Sequence, residues 1–71
     1  MSQTIRAEMV ASVHTIVASV GDEVGPSDAI VILESMKMEI PVVVEKAGTV
    51  REIAVAQGDA IREGDVIAVL A

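Results

Sequence analysis

No cysteine and no phenylalanine, tyrosine or tryptophan occurs anywhere in this 71-residue chain. Without cysteine there is no disulfide and no thiolate metal site to brace so small a domain. Without aromatics there is no ring to stack on a nucleic-acid base, and any core must be aliphatic. Basic residues are few and scattered (Arg6, Lys37, Lys46, Arg51 and Arg62), and against eleven Asp and Glu they leave a net charge of −6. That balance argues against phosphate-backbone binding, which needs clustered Lys and Arg. Long apolar runs are missing too: "AIVIL" and "VIAVLA" stop far short of a membrane span. The opening "MSQTIRAE" has neither the basic nor the apolar region of a secretory signal. Together these absences predict an acidic cytoplasmic domain that engages neither nucleic acid nor membrane; the isolated domain is expected to be a monomer.

What the chain does contain is valine and isoleucine. Apolar residues make up 52% of it, with thirteen Val and eight Ile against only two Leu, at Leu33 and Leu70. Side chains branched at Cβ suit pleated strands better than helices. The chain is also written twice. Displaced by 37 residues, "VHTIVASVGDEVGPSDAIVIL" (13–33) falls without a gap on "VREIAVAQGDAIREGDVIAVL" (50–70), with seven of 21 positions identical. These are Val13/Val50, Ile16/Ile53, Gly21/Gly58, Asp22/Asp59, Asp28/Asp65, Ile30/Ile67 and Leu33/Leu70. Gly-Asp marks a turn in each half, since glycine tolerates positive φ and aspartate bonds its local backbone. Pro26-Ser27-Asp28 and Glu63-Gly64-Asp65 mark a second turn.

Between these turns the pattern predicts strands over 2–7, 12–18, 23–25 and 29–35, with mates over 38–44, 49–55, 60–62 and 66–70. Neither half can bury its own apolar face, so the halves must pack on one another. The expected fold is all-β: a flattened barrel or sandwich of two four-stranded antiparallel sheets related by a pseudo-twofold axis. It is one domain over 1–71, with repeats 1–34 and 38–71 joined by a hairpin at 35–38. Pro41, in the fifth strand, implies a sheet edge there. Met38 takes Met1 as its mate, whereas the mate of Met36 falls beyond the last residue. The 35–38 turn therefore occupies the end of the molecule opposite both termini, with Lys37 at its tip.

A tip lysine on its own is most simply a solubilising charge. Here it sits in "ESMKMEI" (34–40), where a tight turn would favour Gly, Asn, Asp or Pro. Methionines at an exposed tip forgo burial, and methionine is an adaptable contact for a partner surface. The competing reading folds Met36 and Met38 down as a cap on the barrel end.

Ser-Met-Lys-Met on a hairpin midway through a doubled, valine-rich domain resembles the biotinyl/lipoyl attachment family, and "ESMKMEI" resembles its biotin carboxyl carrier branch. The likeness spans essentially the whole chain, from "EMVASV" before the first repeat to "EKAGTV" before the second. It implies biotin joined by an amide bond to the ε-amine of Lys37, with Met36 and Met38 as flanking recognition residues. It also implies a biotin protein ligase that modifies Lys37, and a biotin carboxylase and a carboxyltransferase between which carboxylate travels. The lipoyl branch usually places an acidic residue directly before its lysine. Met36 occupies that position here, which favours biotin over lipoate. In place of the family's Pro-Met-x-Gly approach to the first repeat stand Glu8 and Ala11, while Gly48, the mate of Ala11, keeps the glycine. The departure predicts a reshaped first-half turn and an unaltered attachment site. There are no spare residues for the protruding thumb of some bacterial carriers, nor an Ala/Pro-rich linker. Two readings follow, a free-standing carrier or a carrier domain of something larger, and Met1 at the start favours the first.

No catalytic constellation accompanies the lysine. His14, the single histidine, has no cysteine, second histidine or paired carboxylate near it in sequence, and its mate is Arg51. Asp22, Asp28, Asp59 and Asp65 recur with the turns and read as turn formers rather than as an acid/base pair. The glycines follow no phosphate-loop spacing. Glu34 and Glu39 flank the tip, either to orient it for a ligase or as a plain solvated face. The chain is expected to be a carrier and not an enzyme, its chemistry residing in the cofactor. Two alternatives stand beside it: a lipoyl carrier, and an unmodified β-barrel adaptor whose hairpin binds a partner directly.

Overall fold

The computed structural model describes residues 2–71; Met1, and with it the proposed Met1/Met38 correspondence, lies outside the described residues. Eight strands follow one another: β1 (Gln3–Arg6), β2 (Ala11–Ile16), β3 (Glu23–Val24), β4 (Ala29–Ser35), β5 (Met38–Val43), β6 (Gly48–Ile53), β7 (Ala60–Ile61) and β8 (Val66–Leu70). They form two four-stranded antiparallel sheets, ordered β1-β8-β6-β3 and β5-β4-β2-β7. Advancing each strand of the first sheet by one half-chain turns its order into that of the second, which is the expected pseudo-twofold. The molecule measures 33 × 18 × 18 Å along its principal axes.

The symmetry extends to single hydrogen bonds. The N–H of Ser19 donates to Asp22 Oδ2 and that of its mate Ala56 to Asp59 Oδ2, each at 2.9 Å. At the second turn the N–H of Gly25 donates to Asp28 Oδ2 at 2.8 Å and that of Arg62 to Asp65 Oδ2 at 2.9 Å. All four aspartates thus close local turns. Between the halves, Gly21 N–H donates to Val50 O and Gly58 N–H to Val13 O, both at 2.8 Å.

Each of the seven repeat identities therefore has a physical reason. Val13, Val50, Ile30, Ile67, Leu33 and Leu70 are buried in the core, and Ile16 and Ile53 pack against it. Gly21 and Gly58 carry left-handed φ values of 98° and 92°, and the two aspartate pairs close the turns. The core is wholly aliphatic, as the composition requires, and no polar or charged residue is buried among the described residues.

Strands β2 and β6 end two residues sooner than the sequence pattern predicts. The N–H groups of Val17 and Ala18 both converge on the carbonyl of Ile30, at 2.9 and 3.1 Å, so the ladder cannot advance past that point. Strand β5 is an edge strand, where Pro41 removes no ladder donor that a neighbour needs. Gly48 has a steric reason to remain glycine: a Cβ there would stand 2.7 Å from the Ala71 carbonyl oxygen. At the mate position, Ala11 is accommodated within the core.

Candidate functional site

The β4–β5 hairpin is the longest paired segment, running from Ala29↔Val43 to Ser35↔Met38 and leaving only Met36 and Lys37 unpaired at the tip. Both have left-handed φ, 52° for Met36 and 67° for Lys37. Positive φ at both central residues is the mark of a type I′ turn, whose twist matches that of the flanking strands. Asn-Gly is the usual occupant, because other L-residues there cost about 1–2 kcal/mol each. The fold thus holds a strained turn in place with six cross-strand pairs beneath it.

Lys37 is exposed at this tip. Met36 is 92% exposed and Met38 62% exposed, so neither folds down to cap the barrel. Glu34 and Glu39 face each other directly across the hairpin one pair below Ser35↔Met38, and both are exposed. Like charges at directly opposed positions work against the pairing, so the stem carries a small electrostatic penalty as well as a strained cap. The mates of β4 and β5 are β8 and β1, which meet at the termini; the twofold therefore sets the lysine tip at the opposite end of the long axis. The side-chain amide of Gln3 donates to the Lys46 carbonyl at 3.1 Å, which places Lys46, the second lysine, at the terminal end.

His14 is exposed, with Nδ1 2.7 Å from Thr15 Oγ1. It lies where the β2–β4 register slips between Val13 and Thr15, and Arg51 lies at the matching slip between Val50 and Glu52. Both are bulge residues turned to solvent. Among the described residues no group of His, Asp and Glu is arranged to hold a metal ion. A groove of about 560 Å³ runs between edge strands β1 and β5, with Gln3, Arg6, Glu8, Glu45 and Lys46 among its lining residues. These contain no nucleophile paired with a base. No helix is long and apolar enough to cross a membrane among the described residues.

Fold and tip together define a small, twofold-symmetric β domain that holds out one lysine on a strained turn. The chain belongs to the biotin/lipoyl family, described as "Biotin-requiring enzyme", which matches residues 3–70. It is 53% identical over 70 residues to the biotinylated protein TB7.3 homolog of Mycobacterium leprae, covering 99% of each chain. It is 38% identical over 64 residues to the biotin/lipoyl attachment protein of Bacillus subtilis, covering 90% of this chain and 88% of that one. Among solved structures, the urea carboxylase of Kluyveromyces lactis contains a region that superposes with a TM-score of 0.94 at 34% identity. All of this chain is covered, but only 6% of that enzyme. The lipoyl domain of the 2-oxoglutarate dehydrogenase complex from Azotobacter vinelandii superposes at 0.76 with 24% identity, a likeness of fold alone.

Proposed function

We infer that this chain is a biotin carrier whose attachment point is the ε-amine of Lys37. The observation that supports this most directly is the tip itself: a lysine exposed between two exposed methionines on a turn of unfavourable residues. A turn selected for stability would carry Asn-Gly; this one gives up stability for side chains that face outward. Lys46 is also exposed but has no such setting, following Glu45 and preceding Ala47.

The residues fit the group. A primary amine at the end of a four-carbon stem, clear of the barrel, can enter a ligase active site without disturbing a buried contact. There the neutral amine of Lys37 attacks the activated carboxyl carbon of biotin. The C–N amide bond forms, the activating group leaves, and the surplus ammonium proton passes to the ligase or to solvent. Met36 and Met38 supply the flexible apolar contact that positions the turn against the biotin protein ligase. When bound, biotin supplies the ring that carries carboxylate between a biotin carboxylase and a carboxyltransferase. The barrel's part is to keep the tether short, which makes each encounter effectively intramolecular, and to present both partners with the same narrow end. The chain itself performs no catalysis in this scheme.

A second reading, lipoate on the same lysine, is favoured by the name of the Bacillus relative and by no residue at the tip, where Met36 stands in place of an acidic neighbour. Intact mass of the chain purified from its own host decides between them. A gain of biotin less one water is expected; a gain of lipoate less one water replaces the reading with the lipoyl one. The bare mass, after incubation with an active ligase, leaves an unmodified adaptor.

A further inference from the structure

The chain has no thiol, so methionine thioethers hold all of its sulfur, and two of them flank the exposed lysine. We propose that Met36 and Met38 form a peroxide-sensitive modification site, and that their oxidation to the sulfoxide slows acylation of Lys37. The inference rests on the carrier reading above.

Three observations carry it. Oxidation of a thioether needs approach of the oxidant to sulfur, and Met36 at 92% and Met38 at 62% exposure offer that approach, while Met9 is 39% exposed. The hairpin does not depend on either side chain for its packing, since the core is made of other residues, so the barrel survives the change. The change falls on the two residues that flank the reacting lysine: Met36 precedes Lys37 within the turn and Met38 follows it as the first residue of β5. In the reaction a sulfur lone pair attacks one oxygen of hydrogen peroxide, the O–O bond breaks, an S–O bond forms and water leaves. Sulfur is oxidised and peroxide is reduced, so the step balances without a further reagent. A flexible apolar contact becomes a polar one carrying a strong hydrogen-bond acceptor. A ligase surface shaped for the thioether must then desolvate an oxygen it has no donor for.

The test uses the full, unmodified chain. Brief treatment with hydrogen peroxide followed by peptide mass mapping should place the first oxygen on Met36, the next on Met38, and leave Met9 behind. Oxidation of Met9 ahead of Met36 overturns the proposal. Biotin transfer by an active ligase is then timed on reduced chain, oxidised chain, and oxidised chain repaired with methionine sulfoxide reductases. Oxidised chain should react roughly tenfold more slowly or worse, and repair should restore the rate. In the Met36→Leu, Met38→Leu double variant, whatever its own rate, peroxide should change nothing. Equal rates for reduced and oxidised wild type, or equal peroxide sensitivity in the double variant, overturn the proposal. A reduced chain that takes up no biotin at all removes the carrier reading, and this inference with it.

Discussion

At the scale of the residue, the proposed chemistry rests on one amine. Arginine at position 37 would keep the positive charge and much of the reach, but a guanidinium stays protonated in proteins and is a poor nucleophile. Lys37 is exposed and outside the core, so the exchange removes no buried contact. Lys37→Arg should therefore fold with a stability within about 0.5 kcal/mol of wild type and never acquire biotin. Avidin blotting and intact mass after co-expression with a ligase check this; a biotinylated Lys37→Arg chain would move the site to Lys46. The position of Lys37 on an exposed hairpin tip was legible in the sequence, because the repeat sets the 35–38 turn between the halves. The orientation of the methionines was not, since a cap and a contact surface have the same sequence. Only the exposure of Met36 and Met38 removes the cap.

At the scale of the element, the repeat makes mate positions into internal controls. Ser27 and Gly64 occupy equivalent turn positions with φ of 74° and 93°, and only glycine adopts such values at no steric cost. A Cβ on Gly64 would meet nothing within 4 Å, so Gly64→Ser should lose only backbone strain, about 1 kcal/mol. Ser27→Gly should gain up to about 1 kcal/mol, relief of that strain outweighing the added freedom of the unfolded chain. Chemical denaturation reads both, and shifts of the same sign in the two variants would contradict the argument. The same reasoning applies to the lysine hairpin. Replacing Met36 by Asn and Lys37 by Gly should raise stability by about 1–3 kcal/mol while abolishing modification. An unchanged or lower denaturation midpoint would mean the turn is not strained. Strands and turns were readable because alternation and Gly-Asp pairs are local signals. The bulges were not. Ile30 and Ile67 each fall at a register slip, so that Ile30-Val31 and Ile67-Ala68 are buried in succession and break the period of two. A slip of that kind depends on the partner strand, which a local pattern does not contain.

At the scale of the molecule, the two repeats are not two subdomains. Of the strand pairings, β2 with β4 and β6 with β8 lie within a half, whereas β1 with β8, β2 with β7, β3 with β6 and, through the lysine hairpin, β4 with β5 cross between halves. Each sheet is thus assembled from both repeats, and neither half can open without stripping strands from both sheets. The internal repeat foretold that the halves would pack together, but sandwiching and interleaving would have satisfied it equally; only the strand order distinguishes them. Interleaving has an energetic consequence that can be measured. Ile30 and Ile67 are mates, both are fully buried, and both sit at bulges in the central strands β4 and β8. Truncating either to alanine should cost about 2–5 kcal/mol in lost transfer energy and cavity, a large share of the stability of a domain this size. Because the sheets share their strands, each variant should lower the midpoint of one cooperative transition by a similar amount, with circular dichroism and hydrogen exchange reporting the same loss throughout the barrel. Separate subdomains would instead give two transitions, with Ile30→Ala shifting one and Ile67→Ala the other. Combining the two truncations should leave a chain with no cooperative transition at room temperature. It would still carry Lys37, but without a barrel to hold the strained turn, and its rate of biotin attachment should fall with its folded fraction.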